Sequence, residues 1–382
     1  MAQPGEPDRT VARSPTVTTQ VADLFDHDSP LHLAGGGRLD EVQVAYETYG
    51  ALNAARDNAV FICHALTGDA HATGWHDGDK HPGWWHTMIG PGKAVDTNRW
   101  FVICPNLLGG CQGTTGPSST NPATGQAYGL SFPLLQMRDF VTCHQALLAH
   151  LGIERLHAAI GGSLGGMQVL QWAIDQPKQI DNAVVIAASS RLTAQNIAFS
   201  AVAREAIMAD ENFMDGNFAE HGRNPDVGLA IARMMAHITY LSEDAFTAKF
   251  GRAPQGASQD PGFGVDFAVE SYLRHQGQAF LARFDALTYL YLSRVMDYFD
   301  PFSCPDNLIA LAQGGPSFLV TSFDSDWRFA TAHSLRIVRR LLEIGVPVTF
   351  REINSPWGHD SFLLDVPQYL DTVRAFLERV GR

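Results

Sequence analysis

The fold is decided by the stretch Ala158-Ala159-Ile160-Gly161-Gly162-Ser163-Leu164-Gly165-Gly166-Met167-Gln168. An apolar run from Leu156 to Ile160 predicts a buried strand that stops at Gly161, and a helical pattern begins directly after Ser163. A serine between glycines in a sharp strand-to-helix turn matches the Gly-x-Ser-x-Gly nucleophile elbow. The alternative is a glycine-rich turn in which the serine has no role. Because strand and helix flank the motif as an elbow requires, we predict that Ser163 is a nucleophile and that the Leu164 N–H stabilises an oxyanion.

The composition indicates a globular chain without nucleic-acid or membrane partners. Its 382 residues are 45% apolar and 18% charged, and the formal net charge is −13, which disfavours binding to nucleic acids and anionic membranes. No apolar run is long enough to span a membrane, and residues 1–28 lack the apolar core of a signal peptide. Five scattered cysteines without a Cys-x-x-Cys pair disfavour a disulfide framework and a zinc site. We therefore expect a cytoplasmic protein.

The order of predicted elements indicates an α/β fold, a mostly parallel sheet with helices on both faces. Half-buried strands at 31–33 and 42–48 precede continuous apolar runs at 58–63 and 100–104, which are typical of strands covered on both faces. After the elbow, residues 191–305 have only helical periodicity, which predicts a helical lid inserted over the sheet. The predicted domains are a flexible tail (1–30), an α/β core (31–190 and 306–382) and the lid (191–305).

Three segments in the N-terminal half lie between or after the predicted strands. The first contains Leu66, whose N–H we predict to be the second oxyanion donor. The segment from Asp69 to Pro91 carries four histidines and three tryptophans. The five-residue histidine spacing matches no familiar ligand pattern, so we expect a loop packed by its tryptophans and no metal site. The glycine- and hydroxyl-rich segment 106–119 either lines a pocket or forms a long surface loop.

An acid and a histidine follow the serine along the chain. Loops 322–328 and 353–360 each leave a predicted strand at the same end of the sheet as the elbow. We predict that His359 is the general base and that Asp326 orients it, with Asp324 as the alternative that pattern alone does not separate. Either aspartate implies acyl transfer through an acyl-serine. The neighbouring Asp360 offers a carboxylate to an ammonium group, which favours an amino-acid substrate.

Four motifs resemble those of the homoserine O-acyltransferases of the α/β-hydrolase fold. They are LGGCQGTTGPSS (108–119), GGSLGGMQ (161–168), AHITYLS (236–242) and GHD (358–360). The resemblance covers nearly the whole chain from about Leu31, lid included. It implies transfer of an acyl group from acyl-CoA to the hydroxyl of homoserine, in the first committed step of methionine synthesis. It also implies a homodimer formed through the lid. It implies no cofactor, since acyl-CoA is a co-substrate.

The resemblance further implies roles for individual residues. Ser163, Asp326 and His359 fall on the family triad. The substrate residues that it implies are Arg233 for the homoserine carboxylate, Asp360 for its ammonium group and Tyr240 as a pocket tyrosine.

Arg328 bears on the acyl donor. It stands two positions after Asp326, where acetyl-using members carry an apolar residue, and Asp-Trp-Arg-Phe resembles the succinyl-using branch. A guanidinium binds the terminal succinyl carboxylate bidentately but is left unpaired beside an acetyl methyl, so we expect succinyl-CoA as donor. Trp357 departs from that branch and keeps acetyl-CoA as the alternative, and an Arg328 side chain in solvent would favour neither. The remaining alternatives are a serine O-acyltransferase and an esterase or thioesterase of the same fold.

Overall fold

A computed structural model describes residues 16–256 and 262–379. Its strands are β1 (Gln20–Phe25), β2 (Leu31–His32), β3 (Arg38–Leu39), β4 (Val42–Tyr49), β5 (Ala59–Cys63), β6 (Ile89–Gly90), β7 (Val95–Asp96), β8 (Phe101–Pro105), β9 (Leu156–Gly162), β10 (Ile180–Ile186), β11 (Ser317–Phe323) and β12 (Val348–Ile353). Its α-helices are α1 (Met137–His150), α2 (Leu164–Asp175), α3 (Ala194–Met208), α4 (Asp226–Tyr240), α5 (Glu243–Lys249), α6 (Ala268–Leu281), α7 (Ala286–Tyr298), α8 (Ile309–Gly314), α9 (Thr331–Glu343) and α10 (Pro367–Leu377).

Eight strands form one sheet in the order β1-β4-β8-β5-β9-β10-β11-β12. β4 is antiparallel to both β1 and β8, and every neighbouring pair from β8 to β12 is parallel. Cys63 pairs with Gly161, and Ile186 pairs with Gly162, so the carboxyl ends of β5, β9 and β10 are level with the elbow. Loops that leave these ends therefore meet at one edge of the sheet, where open α/β sheets bind their ligands.

Helices cover both faces of the sheet, as expected for strands that are apolar throughout. Successive side chains of a strand point to opposite faces. Phe61 and Ala159 pack into one apolar layer with residues of α1, α2 and α9, whereas Ile62 and Ile160 pack into the other with residues of α10. The sheet therefore lies in the middle layer of three, and the predicted fold class is confirmed.

The N-terminal segment differs from the predicted tail. Residues 20–25 form β1, an edge strand that pairs with β4 from Gln20↔Tyr46 to Phe25↔Val42. Ala22 of this strand is buried against the core. The rest of the predicted tail up to residue 15 lies outside the described residues. A second difference is at the elbow, where β9 continues through Gly162 because its two glycines pair with β10.

The helices α3 to α7 fall within the predicted lid. α7 is almost fully buried and fastens the lid to the core: Thr288 Oγ1 donates to the Gly109 carbonyl at 3.0 Å, and the Tyr291 hydroxyl donates to the Phe132 carbonyl at 2.6 Å. The segment 106–119 therefore supports the lid rather than forming a free surface loop. Within the described ranges, no helix is both long and apolar enough to cross a membrane.

Candidate active site

Ser163 lies in the turn between β9 and α2 with a backbone conformation that is rare for a residue with a side chain. Its φ and ψ are 58° and −123°, and a non-glycine residue held in so sparsely populated a region costs about 1–3 kcal/mol. The turn is held from both sides, because the Ser163 N–H donates to the Ile186 carbonyl at 2.9 Å and the Met167 N–H donates to the Ser163 carbonyl at 3.2 Å. Such strain is concentrated at functional sites.

The glycines around Ser163 are required by close packing. A Cβ at Gly161 would lie 2.2 Å from the carbonyl carbon of Gly165, and a Cβ at Gly165 would lie 2.0 Å from the Cys63 carbonyl oxygen. A Cβ at Gly162 would lie 2.5 Å from the ring of Phe362, which belongs to the histidine loop. The elbow is therefore pressed directly against the end of β5 on one side and the histidine loop on the other.

His359 and Asp326 form a buried pair. The Nδ1 atom of His359 lies 2.7 Å from the Oδ2 atom of Asp326, and each residue is 2% exposed. The second oxygen of Asp326 accepts from the Phe329 N–H at 2.8 Å. Asp324, the alternative from the sequence, instead accepts from Asn354 Nδ2 and from the Ser355 N–H. Asp326 is therefore the aspartate that contacts the histidine, and its charge favours the Nδ1–H tautomer.

Aromatic rings surround the His359 imidazole on three sides. The ring centroids of Phe329, Phe362 and Tyr240 lie 5.1, 5.4 and 5.9 Å from its own. Phe362 contacts both the imidazole and the elbow, so it sets the spacing between the histidine loop and the serine turn. These rings exclude water and lower the local dielectric constant, which strengthens the electrostatic interaction between His359 and Asp326.

The two predicted oxyanion donors lie on segments that touch. Leu164 is the first residue of α2, so its N–H has no acceptor within the helix. Leu66 occupies the second position of a turn closed by the Gly68 N–H on the Ala65 carbonyl at 3.0 Å. Gln168 of α2 donates to the His64 carbonyl at 3.0 Å, which ties this turn to the first turn of the helix.

The lid places Arg233 and Tyr240 over the same edge of the sheet. The two residues are seven apart on α4 and therefore lie on one face of the helix. The Arg233 guanidinium lies 4.6 Å from the centroid of Phe280 and donates to Thr67 Oγ1 at 3.3 Å, but its buried Nε has no partner among the described residues. Burial raises the pKa of the Asp360 carboxyl, although the positive charges of His359 and Arg233 partly offset the effect.

Arg328 is buried, which overturns the solvent-facing alternative for this side chain. It is 9% exposed, and its Nη1 atom donates to Thr239 Oγ1 at 2.9 Å. Its guanidinium carbon lies 5.7 Å from the ring centroid of Tyr240. No carboxylate of the described residues pairs with it, whereas the similarly buried Arg204 pairs with Asp297 at 2.7 Å. A buried guanidinium without an anion is costly, so this position is suited to an anionic ligand.

The chain is similar to known proteins over nearly its whole length. The α/beta hydrolase fold family matches residues 58–366. The chain is 59% identical over 361 residues to the homoserine O-succinyltransferase of Nocardioides sp., covering 94% of this chain and 98% of that protein. It is 53% identical over 354 residues to the homoserine O-acetyltransferase of Rhodospirillum rubrum, covering 92% and 90%.

The chain belongs to the homoserine O-acyltransferase family.

Solved structures extend the comparison. The crystal structure of homoserine O-acetyltransferase from Bacillus anthracis superposes with a TM-score of 0.86 at 28% identity and covers 96% of this chain and 99% of that one. The structure of esterase E22 is comparable, with a TM-score of 0.85 at 28% identity and coverage of 95% and 100%. The homoserine O-acyltransferase architecture, lid included, is therefore shared with an enzyme described as an esterase.

Sequence reasoning missed a buried polar network beside the turn of this acyltransferase that contains Leu66. His64 Nδ1 lies 2.7 Å from the Ala65 carbonyl, an acceptor, so a neutral ring carries its proton on Nδ1; its Nε2 lies 3.1 Å both from the Leu107 N–H and from Asn106 Oδ1. Burial lowers the pKa of His64 and so favours this neutral form. On the other side of the turn, Gln168 contacts His144, whose pKa burial lowers to about 4. The only sequence signal was His64 directly after a buried strand.

A second missed feature is a set of hydrogen bonds between the lid and the two loops of the acyltransferase that carry Asp326 and His359. The Ser242 hydroxyl, just after α4, donates to the Pro356 carbonyl. The Trp327 indole donates to the Leu241 carbonyl at 3.0 Å. Ser325 donates to the Ser355 carbonyl and accepts from the Gly358 N–H at 2.9 Å, which joins these two loops to each other. The end of α4 therefore fixes both loops relative to the pocket residues that it carries.

Proposed function

We propose that this protein is a homoserine O-succinyltransferase that moves a succinyl group from succinyl-CoA to the hydroxyl of L-homoserine in methionine biosynthesis. The observation that carries the choice of donor is Arg328, a buried guanidinium with no protein carboxylate among the described residues, beside the ring of Tyr240. A succinyl group ends in a carboxylate that this guanidinium can bind, whereas an acetyl group would leave it unpaired.

In the first half of the proposed cycle the enzyme is acylated. Ser163 Oγ attacks the thioester carbonyl while His359 Nε2 takes its proton, and Asp326 holds the imidazole through Nδ1 and stabilises the imidazolium. The N–H groups of Leu66 and Leu164 donate to the oxyanion. Collapse of the tetrahedral intermediate breaks the carbon–sulfur bond, and CoA leaves with the proton from His359.

In the second half homoserine replaces CoA. Arg233 binds its carboxylate, Asp360 faces its ammonium group and Tyr240 lines the pocket between them. His359 takes the proton of the homoserine hydroxyl, whose oxygen attacks the acyl-serine, and the proton then returns to Ser163 as the ester leaves. The Nε of Arg233, which has no partner among the described residues, and the half-buried Asp360 support this assignment, since both are costly to bury without an oppositely charged ligand.

The second candidate is homoserine O-acetyltransferase. The specific observation in its favour is the 53% identity to the Rhodospirillum rubrum protein of that name. The two candidates share the catalytic residues and the homoserine pocket and differ only in the acyl group that Arg328 faces.

Thiol release by the purified enzyme tests the proposal. Homoserine is offered with succinyl-CoA and with acetyl-CoA in parallel, serine replaces homoserine in a second series, and acceptor is omitted in a third. We expect release that requires homoserine and is faster with succinyl-CoA. Faster release with acetyl-CoA would still indicate an acyltransferase but would contradict succinyl-CoA as its donor. Sustained release without acceptor would indicate a thioesterase.

We also propose that the enzyme acts in the cytoplasm, where acyl-CoA is available, as a homodimer formed through the lid. Val227, Ile231 and Ile238 form an outward stripe on α4 and are 66%, 43% and 46% exposed. Contiguous apolar residues of this kind are typical of an association face. Light scattering on the wild type and on Ile231→Glu tests this, because the charge would convert a dimer into monomers. A monomeric wild type would contradict the dimer.

A further inference from the structure

A cluster of two histidines and two acids lies outside the active site, where β4 meets the loop after β5. Glu47 of β4 is fully buried, and His71, His76 and Asp79 belong to the loop. One donor atom from each of Glu47, His71 and His76 lies within 4.8 Å of the other two. None of the contacts described above for Ser163, Asp326 or His359 involves these residues, so the acyl-transfer mechanism does not account for the cluster.

The Glu47 carboxylate determines which nitrogen of each histidine carries a proton. Its Oε2 atom lies 3.0 Å from His71 Nδ1, and its Oε1 atom lies 2.7 Å from His76 Nε2. The hydroxyls of Tyr49 and Thr19 donate to the same two oxygens at 2.7 and 2.8 Å. Because a carboxylate only accepts, both imidazoles must donate to it. The lone pairs of the neutral rings are therefore on His71 Nε2 and His76 Nδ1.

Both of these lone pairs face one carboxylate oxygen. Asp79 Oδ2 lies 3.4 Å from His71 Nε2 and 3.9 Å from His76 Nδ1. The Asp79 side chain is held in this position because Oδ2 also accepts from the His76 N–H at 2.7 Å. His71 Nε2 is buried and has no hydrogen-bond partner among the described residues. Three acceptor atoms that face one another repel unless a proton on one of the rings or a metal cation lies between them.

The two distances from Asp79 Oδ2 are close to those between neighbouring ligands of a divalent transition-metal ion, and the His71 and His76 rings lie side by side with centroids 3.8 Å apart. Zinc binds imidazole nitrogen and carboxylate oxygen at about 2.0–2.2 Å, so neighbouring ligand atoms in a tetrahedral shell are about 3.4 Å apart. The His71–Asp79 distance has this value, and His76 has to approach by about half an ångström. A carboxylate that accepts the second N–H of each ligand histidine, as Glu47 does, is the usual outer partner of such a site.

We propose that His71 Nε2, His76 Nδ1 and Asp79 bind a divalent transition-metal ion such as Zn²⁺, with Glu47 orienting both histidines. His76 and Asp79 have side chains that are 34% and 31% exposed, so the ion has a path from solvent and a water can complete its coordination.

The ion has a structural role at this position. The loop is joined to the N-terminal segment by the Val17 N–H, which donates to the Trp75 carbonyl at 2.9 Å, and Thr19 of that segment donates to Glu47. A bound ion would therefore fasten the loop, β4 and the segment before β1 together. Since the ion binds the folded chain and the site does not exist in the unfolded one, it raises thermal stability and leaves acyl transfer unchanged.

The test uses the full-length chain with its purification tag removed and its metals stripped by chelation. Zn²⁺ is titrated calorimetrically, and metal content is measured after dialysis. We expect one equivalent in the wild type and in His81→Gln, an exposed histidine of the same loop that serves as the matched control. His76→Gln and Asp79→Asn should each weaken binding by about tenfold or more.

Two readouts keep the result independent of the proposed acyl transfer. The unfolding temperature of the wild type should rise on addition of Zn²⁺, and that of Asp79→Asn should not. Thiol release should be the same in all variants, which also reports that each one has folded. A wild type that binds no Zn²⁺, or one equivalent retained in both His76→Gln and Asp79→Asn, would overturn the site without affecting the proposed function.

Discussion

Gly358 lies directly against the Tyr240 carbonyl oxygen, so that a Cβ at position 358 would come within 2.8 Å of this atom. The same Cβ would lie 2.6 Å from the Ser242 nitrogen, and Gly358 has a φ of +67°. The end of α4 and the residue before His359 are therefore in backbone contact. This contact couples the position of the lid to the position of His359.

Gly358→Ala should weaken both folding and catalysis. The left-handed backbone at position 358 and the crowding of the new Cβ should together lower the free energy of unfolding by about 2–4 kcal/mol. Displacement of His359 by even 1 Å should lower kcat about 100-fold. Thermal unfolding and thiol release measure the two effects.

Gly345→Ala is the matched control, because Gly345 has a φ of +75° but open space around its Cβ. It should lose about 1 kcal/mol of stability and keep its activity; equal behaviour of the two variants would refute the contact as the cause.

Replacement of each aspartate of the acid loop should separate their roles. Asp326→Asn removes the charge that sets the His359 tautomer and should lower kcat by about 10⁴. Asp324→Asn should remain near wild type, because its amide oxygen can still accept from the Ser355 N–H, and the Asn354 amide can rotate so that its oxygen accepts from the new NH2 group. Steady-state thiol release measures both, and burst release of CoA reports the acylation step. A large loss in Asp324→Asn with none in Asp326→Asn would invert the assignment.

The sequence predicted the residues of the site better than the long-range contacts that hold them in place. Ser163 and His359 stand in local patterns, a strand followed by a tight turn, that depend only on neighbouring residues. Asp324 and Asp326 share one polar loop, and only the hydrogen bonds across to the histidine loop distinguish them. The sequence predicts a tail in place of β1, because the six residues of this strand stand between polar stretches and its partner β4 is about twenty residues away. Long-range pairing of this kind leaves no periodic signal in the segment itself.

The polar network and the acidic partner of the loop histidines were missed for the same reason. His64 and Gln168 are 104 residues apart, and Glu47 is separated from His71 by 24. Histidine spacing within the loop therefore gave no indication of a ligand set, since the oriented nitrogens depend on a carboxylate from another strand. Such arrangements follow from the order of strands in the sheet rather than from any local motif.

Asp360 should make stability depend on pH in the direction opposite to an ordinary ion-paired aspartate. Burial raises its pKa, so the folded chain holds this proton more tightly than the unfolded chain. Its contribution to stability is therefore present at low pH and is lost as pH rises through the folded-state pKa. Asp360→Asn removes the buried charge and should raise the unfolding temperature at pH 8 relative to wild type, while raising the KM for homoserine.

The control for this prediction is Asp365→Asn, an exposed aspartate five residues further along. It should change neither the unfolding temperature nor the KM. Thermal scans at several pH values between 4 and 9 measure the crossing of the Asp360→Asn and wild-type curves. A variant that is less stable than wild type at pH 8 would contradict the burial argument.

Arg328→Leu should change the preferred acyl donor. The substitution removes the charged hydrogen bonds that we assign to the succinyl carboxylate, worth about 2–4 kcal/mol, or roughly 30- to 1000-fold in kcat/KM for succinyl-CoA. It leaves acetyl-CoA with an apolar wall where a guanidinium had been, so its kcat/KM should stay level or rise. The ratio of the two values is the measurement, because a general loss of folding or of homoserine binding lowers both values together.

Arg339→Leu, a substitution of an exposed arginine of α9, is the control and should leave the ratio unchanged. An unchanged ratio in Arg328→Leu would return Arg328 to a packing role with Thr239 and leave the donor to be decided by another part of the pocket.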